Sequence, residues 1–447
     1  MKNTILILCF SILRLGSGIM AQPGKTWTLE ECIAYALEQN IQVRKSILSN
    51  KSFEYQAEQA KAQRHPSVSA GINQNFNWNR GTSTDTLSHG IFYENGFVGN
   101  NGSNYSVNSG ITVFNASRLS NQIKQSELNI IGGKYSLEST KESISLSILN
   151  AFLQVLYAEE QVKNSEKQIE STTEQLNLAG ERMNLQVISM ADYLQVKSQL
   201  ASEKLTLANA NSQLAIAKVN LMQFMELPVT NDFYIAHPNL DSMLNQNRIP
   251  DVQAIFGTAL AIKPQIKSAS INKEIAALDE RIAKAGYYPS LSASAGISTQ
   301  FSGSSYDRYF TQMDHALSPS VGLSLSIPIY QKKQVKTSVA LAKIGYQNAE
   351  LSETDTKNQL RKSIEQACQD VTSAQIEYEA SMEKYQAMEE SSALSDEKFT
   401  QGIINSVDYL ISKTNLIVAE SQLLQSKYNL IFCYKILDFY LGIPLSL

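Results

Sequence analysis

Cysteine and charge are both scarce in this chain. Four cysteines in 447 residues, at positions 9, 32, 368 and 433, are too few and too scattered for a disulfide framework or a metal site. Charged residues make up 18% of the chain, below the ~25% of an ordinary soluble domain. With 38 basic residues against 42 acidic there is no basic excess, which argues against a protein that binds nucleic acid by displacing counterions. No block of like charge marks a disordered tail, and no apolar run reaches the ~20 residues of a membrane-spanning helix. His65, His89, His237 and His315 are far apart, and no nucleophile motif, phosphate loop or His/Cys ligand spacing is present. The sequence therefore offers no catalytic, cofactor or metal site, and reads as a protein that is not an enzyme. What remains to cover the surface is Ser, Asn, Gln and Thr, on a chain that is 43% hydrophobic.

The N-terminus gives a first reason for that neutral surface. Lys2 precedes an apolar run at 5–13, followed by Gly16, Ser17 and Gly18, with Ala21 before Gln22. A basic start, a short apolar segment and a small residue before the cut describe a secretory signal peptide at 1–21. Cys9 lies inside the apolar run and is not placed for lipid attachment. Loss of Lys2 and Arg14 leaves a mature chain of net charge −6 with Cys32, Cys368 and Cys433. An exported protein is expected.

An internal repeat governs the rest. Residues 181–228 align without a gap to 397–444 at an offset of 216, so that Asp192-Tyr193-Leu194 meets Asp408-Tyr409-Leu410, Lys197 meets Lys413 and Pro228 meets Pro444. Upstream the offset becomes 223, pairing Ala36-Leu37 with Ala259-Leu260 and Pro66-Ser67 with Pro289-Ser290. A first repeat at 22–228 and a second at 251–447 are expected, joined by a linker at 229–250.

Within each repeat two strands stand out. Val68, Ala70, Ile72, Phe76 and Trp78 alternate with Ser and Asn, and Val321, Leu323, Leu325, Ile327 and Ile329 alternate with Ser and Gly. Period-2 alternation marks strands with one apolar and one wet face. The expected strands are 66–79 and 104–114 in the first repeat, 289–301 and 319–329 in the second, with polar loops at 80–104 and 302–318. Strands of about ten residues suit a tilted membrane barrel with a watery lumen. Four strands cannot close one, because barrels begin at about eight strands and lipid tolerates no open edge. Several chains sharing one barrel is the resolution.

The remainder is helical. Thr28-Leu29-Glu30-Glu31 has the form of a capping box, and Asp251 is the matching cap. Proline is absent from 117–183 and again from 331–400, enough for helices of ~100 Å. Long helices at 115–183 and 331–400 and returning helices at 189–226 and 405–441 follow. Gly132-Gly133 marks a kink or a thickened waist, or else is a tolerated pair. Leu200, Leu207, Leu214 and Leu221 repeat every seven residues, and their partners are Leu416, Leu423, Leu430 and Leu437. Sevenfold spacing with small flanking residues implies supercoiled packing.

The turn between the long and returning helices carries a resemblance. Lys398-Phe399-Thr400-Gln401-Gly402, then Asn405, Asp408, Tyr409 and Leu410, resembles the helix-tip sequence of the TolC-like outer-membrane factors. Arg182, Ser189, Asp192, Tyr193 and Leu194 repeat it, with Gln186 in place of the glycine and Met183 in place of the aromatic. The resemblance covers the whole mature chain. It implies a mixed α and β fold in a homotrimer: one transmembrane β-barrel with four strands from each chain, continued by a long coiled-coil helical barrel. It further implies an outer-membrane exit duct of a Gram-negative tripartite efflux or type I secretion system, docked by its tips to a periplasmic adaptor and an inner-membrane transporter. Ile411, Phe399 and Ile404 stand where some members carry an acid, a tyrosine and an arginine that lock the tip, so that lock does not carry over.

Asp192 and Asp408 are the leading site candidates, with Arg182, Ser189, Lys398, Phe399, Gly402 and Asn405 around them. Ser189 to Asp192 and Asn405 to Asp408 have the spacing of helix caps. Three chains converging at a tip would also bring their carboxylates into a ring that favours cations. The alternative from another class is a soluble periplasmic coiled-coil adaptor or scaffold.

Overall fold

The structure, a computed structural model, describes residues 26–87, 90–230, 232–240, 244 and 251–447. The expected signal peptide, His89 and residues 231, 241–243 and 245–250 of the expected linker lie outside the described residues. In chain order the elements are β1 (Thr26–Trp27), α1 (Leu29–Gln39), α2 (Ile41–Ala62), β2 (Ser67–Leu87), β3 (Gly90–Phe114), α3 (Arg118–Asn184) and α4 (Met190–Phe224). There follow β4 (Tyr234–Ile235), α5 (Val252–Ile262), α6 (Pro264–Lys284), β5 (Ser290–Ser302), α7 (Tyr309–His315), β6 (Ser318–Ser326), α8 (Gln334–Thr400) and α9 (Ser406–Leu441). The described chain forms two units, one of residues up to 47, 136–266 and 355–447, the other of 48–135 and 267–354.

The second unit holds an open antiparallel sheet in the order β2-β3-β5-β6. The outer two strands are edges. The first hairpin is far longer than the sequence pattern suggested: the ladder runs from Ser67↔Gly110 to Leu87↔Gly90, so the expected loop at 80–104 is largely paired strand. Glycine and asparagine obscure side-chain alternation there, but antiparallel pairing rests on backbone hydrogen bonds. Thr82, Thr84, Thr86 and Ile91 in the same stretch supply β-branched residues. β6 is shorter than expected and stops at Ser326. Pro328, two residues on, has no N–H to extend the ladder. The expected loop at 302–318 contains α7, whose Tyr309 packs on Phe301 and whose hydroxyl lies 2.6 Å from that of Tyr105.

Gly132 and Gly133 lie inside an unbroken α3. A Cβ on Gly133 would fall 2.4 Å from Asn50 Oδ1 and 2.9 Å from the Phe53 ring, so the glycine lets α2 lie against α3. Close packing accounts for Gly133, whereas a Cβ on Gly132 would make only ordinary contact, with Ile271 Cγ2 at 3.5 Å.

In the first unit the repeat is visible in the core. Cys32, Ala36, Ile148, Phe152, Val155 and Leu221 are buried in one cluster. Their repeat partners Ile255, Ala259, Ile364, Cys368, Val371 and Leu437 are buried in a second. Each large side chain so buried stabilises the fold by about 1.5–3 kcal/mol. Cys32, Cys368 and Cys433 are buried, form no disulfide among the described residues and act as small hydrophobes; burial pushes the Cys433 thiol up to about 11. Thr28 and Glu31 form a reciprocal capping box, and Asp251 accepts from the N–H groups of Gln253 and Ala254. The expected linker is partly core: Tyr234–Ile235 pairs in parallel with Thr26–Trp27, and Phe233, Ile235 and Leu240 are buried. Three apolar side chains in a short run have enough surface to anchor it, which a reading from proline and asparagine alone passes over. Among the described residues no helix is long and apolar enough to cross a membrane.

Candidate functional site

The chain reverses direction through two five-residue turns, one between α3 and α4 and one between α8 and α9. Both long helices end identically. Val187 N–H donates to Arg182 O at 2.8 Å and Gln186 N–H to Met183 O at 2.9 Å; Ile403 N–H donates to Lys398 O at 2.9 Å and Gly402 N–H to Phe399 O at 3.1 Å. This Schellman pattern places one residue in the left-handed region. Gly402 takes it at φ 72° and Gln186 at φ 62°. Gln186 thus preserves the turn and carries the ~1–2 kcal/mol that a Cβ costs there.

Each returning helix begins with a side-chain cap. Asp192 N–H donates to Ser189 Oγ at 3.1 Å, while the Asp192 carboxylate accepts from Ser189 N–H at 3.2 Å and from its hydroxyl at 2.6 Å. The other carboxylate oxygen accepts from the Ser406 hydroxyl on α9. The Ser189 hydroxyl, then that of Ser406, holds the Asp192 carboxyl below the usual carboxylate range. Asp408 N–H donates to Asn405 Oδ1 at 2.8 Å, and the Asp408 side chain is exposed. The two acids therefore have different partners: Asp192 ties α4 to α9, whereas Asp408 faces outward from its own cap.

Arg182 reaches across to the other tip. Its Nη1 donates to Phe399 O at 3.1 Å and its Nη2 to Thr400 O, satisfying carbonyls at the negative end of α8. Phe399 stacks on Tyr409 with ring centroids 4.6 Å apart and planes 15° apart. Lys398 and Gly402 are exposed. Leu185, Val187, Met190 and Ile403 also present apolar side chains to solvent at the turns.

Behind the tips lies a polar cluster to which α3, α4, α8 and α9 all contribute. Lys413 is buried, and its Nζ donates to Thr172 Oγ1 at 2.6 Å and Gln175 Oε1 at 3.1 Å. Burial pulls the Lys413 amine below its ordinary value, and the charges of Glu203 and Asp396 oppose that shift. Tyr409 is 2% exposed. Burial, and after it the charge and hydrogen bond of Asp396, raises its phenol well above the ordinary range. Glu203 is buried in the leucine stripe of α4; one oxygen accepts from Gln199 at 3.1 Å and the other has no hydrogen-bond partner.

The caps are written in the local spacing of each turn, whereas this cluster is not. Ser406, Asp396, Thr172 and Gln175 carry no pattern of their own. Glu203 is the one member with a sequence signal, because it occupies a core position of the heptad that runs through Leu200 and Leu207. His65 and His315 are set apart at a strand start and a helix end, and His237 pairs with Glu159 at 3.2 Å. Among the described residues no cluster of His, Cys, Asp and Glu could hold a metal ion.

Residues 32–225 and 255–442 both match the family model described as outer membrane efflux protein. No curated protein matches the chain by sequence. Solved structures do match its fold. The outer membrane channel CmeC of Campylobacter jejuni is 16% identical, with a TM-score of 0.76 over 93% of this chain and 85% of that one. A membrane protein from Pseudomonas aeruginosa is 14% identical, with a TM-score of 0.74 over 93% of each chain. The outer membrane protein VceC of Vibrio cholerae is 17% identical, with a TM-score of 0.72 over 93% and 96%. The family match covers both halves of the chain, and the chain belongs to the outer membrane efflux protein family.

Proposed function

We propose that this outer membrane efflux protein is a passive exit duct, a homotrimer in which each chain lends β2-β3-β5-β6 to one closed 12-stranded barrel in the outer membrane. The observation that carries this reading is the sheet. Val68, Ile72, Val321 and Leu323 expose more than 70% of their surface on an open sheet whose alternate positions are Ser, Asn and Gly. Apolar side chains at that exposure belong against lipid, and unpaired edges within lipid must be closed by other strands. A second and third copy close them. A soluble scaffold leaves the same apolar residues in water, and efflux is transport and not catalysis.

The helices continue the duct through the periplasm, and the tips dock a periplasmic adaptor served by an inner-membrane transporter that supplies the energy. Exposed Leu185, Val187 and Ile403 at the turns suit such a contact. Around the three-fold axis Asp192 and Asp408 line the constriction, and their carboxylates favour cations and restrain the closed state. Arg182, Ser189, Lys398, Phe399, Gly402 and Asn405 shape the turns that present them. No cofactor or resident metal takes part.

Disulfide trapping tests the closure. Ser69→Cys on edge β2, combined in turn with Ser318→Cys, Ser320→Cys or Ser324→Cys on edge β6, should give a band of trimer size on a non-reducing gel in at least one register. Failure of every combination in protein extracted from membranes would sink the shared barrel.

A further inference from the structure

We infer that the helical side of the sheet carries a collar that binds the anionic headgroups of phospholipids in the periplasmic leaflet. This inference rests on the outer-membrane reading above. Four segments flank the strand ends: 60–66 before β2, 115–124 after β3, 281–289 before β5 and 327–343 after β6. Together they hold ten lysines and arginines and no aspartate or glutamate, in a chain whose formal net charge is −4. The cations therefore concentrate where the strands meet the helices, and the acidic excess lies elsewhere.

All ten side chains are exposed. Arg64, Arg118, Arg281, Lys332, Lys333 and Lys336 come from all four segments. Lys61 and Lys284 are reached by carboxylates from the next turns, Glu127 at 2.8 Å and Glu280 at 2.7 Å. These pairs mark the outer limit of the collar. Lys332 and Lys333 take left-handed backbone at φ 47° and 63°, at a turn where the first repeat has Ala116 and Ser117 at φ 50° and 62°. The second copy thus places two adjacent lysines on a turn whose geometry small residues also satisfy.

Tyr287, Tyr288 and Tyr330 stand among these cations, each more than half exposed. Exposed tyrosines next to lipid-type strand faces mark the level of the headgroups. Lysine and arginine stems can lie along apolar surface while their charges reach the phosphates. Charge complementarity selects acidic headgroups over zwitterionic ones, by about fivefold for each cation that reaches the surface.

The test uses full-length protein purified in mild detergent and supplied with equimolar phosphatidylglycerol and phosphatidylcholine, the retained lipid being counted by native mass spectrometry. Wild type should retain phosphatidylglycerol at least fivefold over phosphatidylcholine, less so as salt is raised. The variant R64Q/K332Q/K333Q/K336Q should retain the two lipids nearly equally, and K332R/K333R/K336R should keep the preference. Equal retention by wild type, or an undiminished preference in the glutamine variant, overturns the collar. So does a shifted reversal potential in that variant with lipid retention unchanged, because the cations would then line the lumen. The two readings fail separately. A conducting trimer without lipid preference removes the collar alone, whereas lipid preference in a protein that forms no channel removes the duct alone.

Discussion

The two helix tips build one backbone from two sets of residues. The αL position is Gln186 in the first copy and Gly402 in the second; at the far ends of the returning helices it is Glu226 at φ 57° and Gly442 at φ 76°. In each pair the first copy holds a side chain where the second has none. The tyrosines and lysines that follow differ in the opposite sense. Lys197 is exposed and Tyr193 half-buried, whereas Lys413 and Tyr409 are buried against α3 and α8. The comparison teaches that the supercoil dictates the turn conformation, and that the buried lysine and tyrosine of the polar cluster joining four helices come from the second copy alone. The first tip carries the left-handed strain on a side chain at Gln186; the second takes it on Gly402 and buries its lysine and tyrosine.

The largest effect expected from breaking this asymmetry is at Lys413. Lys413→Met should destabilise the helical unit by about 3 kcal/mol, because Glu203 and Asp396 lose the buried charge between them, while Lys197→Met should stay within about 0.5 kcal/mol. Denaturation midpoints of the two variants, measured in the same detergent, decide this; equal effects would show that burial of Lys413 carries no weight.

The turn glycines come next. Gly442→Ala should cost about 2 kcal/mol, since its Cβ would meet Ile262 Cδ1 at 2.6 Å in addition to the left-handed strain, and Gly402→Ala, with open space around it, about 1 kcal/mol. The reverse change, Gln186→Gly, should stabilise by about 0.5–1 kcal/mol. A destabilised Gln186→Gly would mean that the glutamine side chain contributes more than its strain removes.

The caps should have the smallest effect on stability but a distinct pH signature. Ser189→Ala should cost about 1 kcal/mol. The folded Asp192 carboxyl sits below its ordinary value of 3.8. Its contribution is therefore present above that value and is lost as pH falls through the lowered one. Asp192→Asn should flatten stability on the acid side, read by hydrogen exchange at the tip as pH falls from about 5 to about 2. In a planar bilayer, Asp192→Ala with Asp408→Ala should raise conductance or weaken cation preference. Unchanged currents with reduced stability would leave only capping.

How much of this was readable beforehand depends on whether the signal is local. The absence of proline carries the long helices and the sevenfold leucines the returning ones: α8 runs from Gln334 to Thr400 against an expected 331–400, and α9 from Ser406 to Leu441 against 405–441. Ser189 and Asn405 were legible because a cap is written within four residues. The outer reach of β2 and β3 was not, because Asn and Gly interrupt the alternation while leaving the backbone ladder intact. Lys413 was illegible for a deeper reason. It aligns with Lys197 in the same repeat position, and only packing against Thr172 and Gln175, some 240 residues away in sequence, makes one lysine buried and its copy exposed.

The central claim is that three chains share one conducting barrel. The direct measurement is the mass of the membrane-extracted protein in mild detergent, followed by single-channel recording of the same fraction in a planar bilayer. The account predicts a trimer that conducts. A monomer, or a soluble oligomer that never conducts, would contradict it and would mean that the apolar face of the sheet is covered by protein and not by lipid.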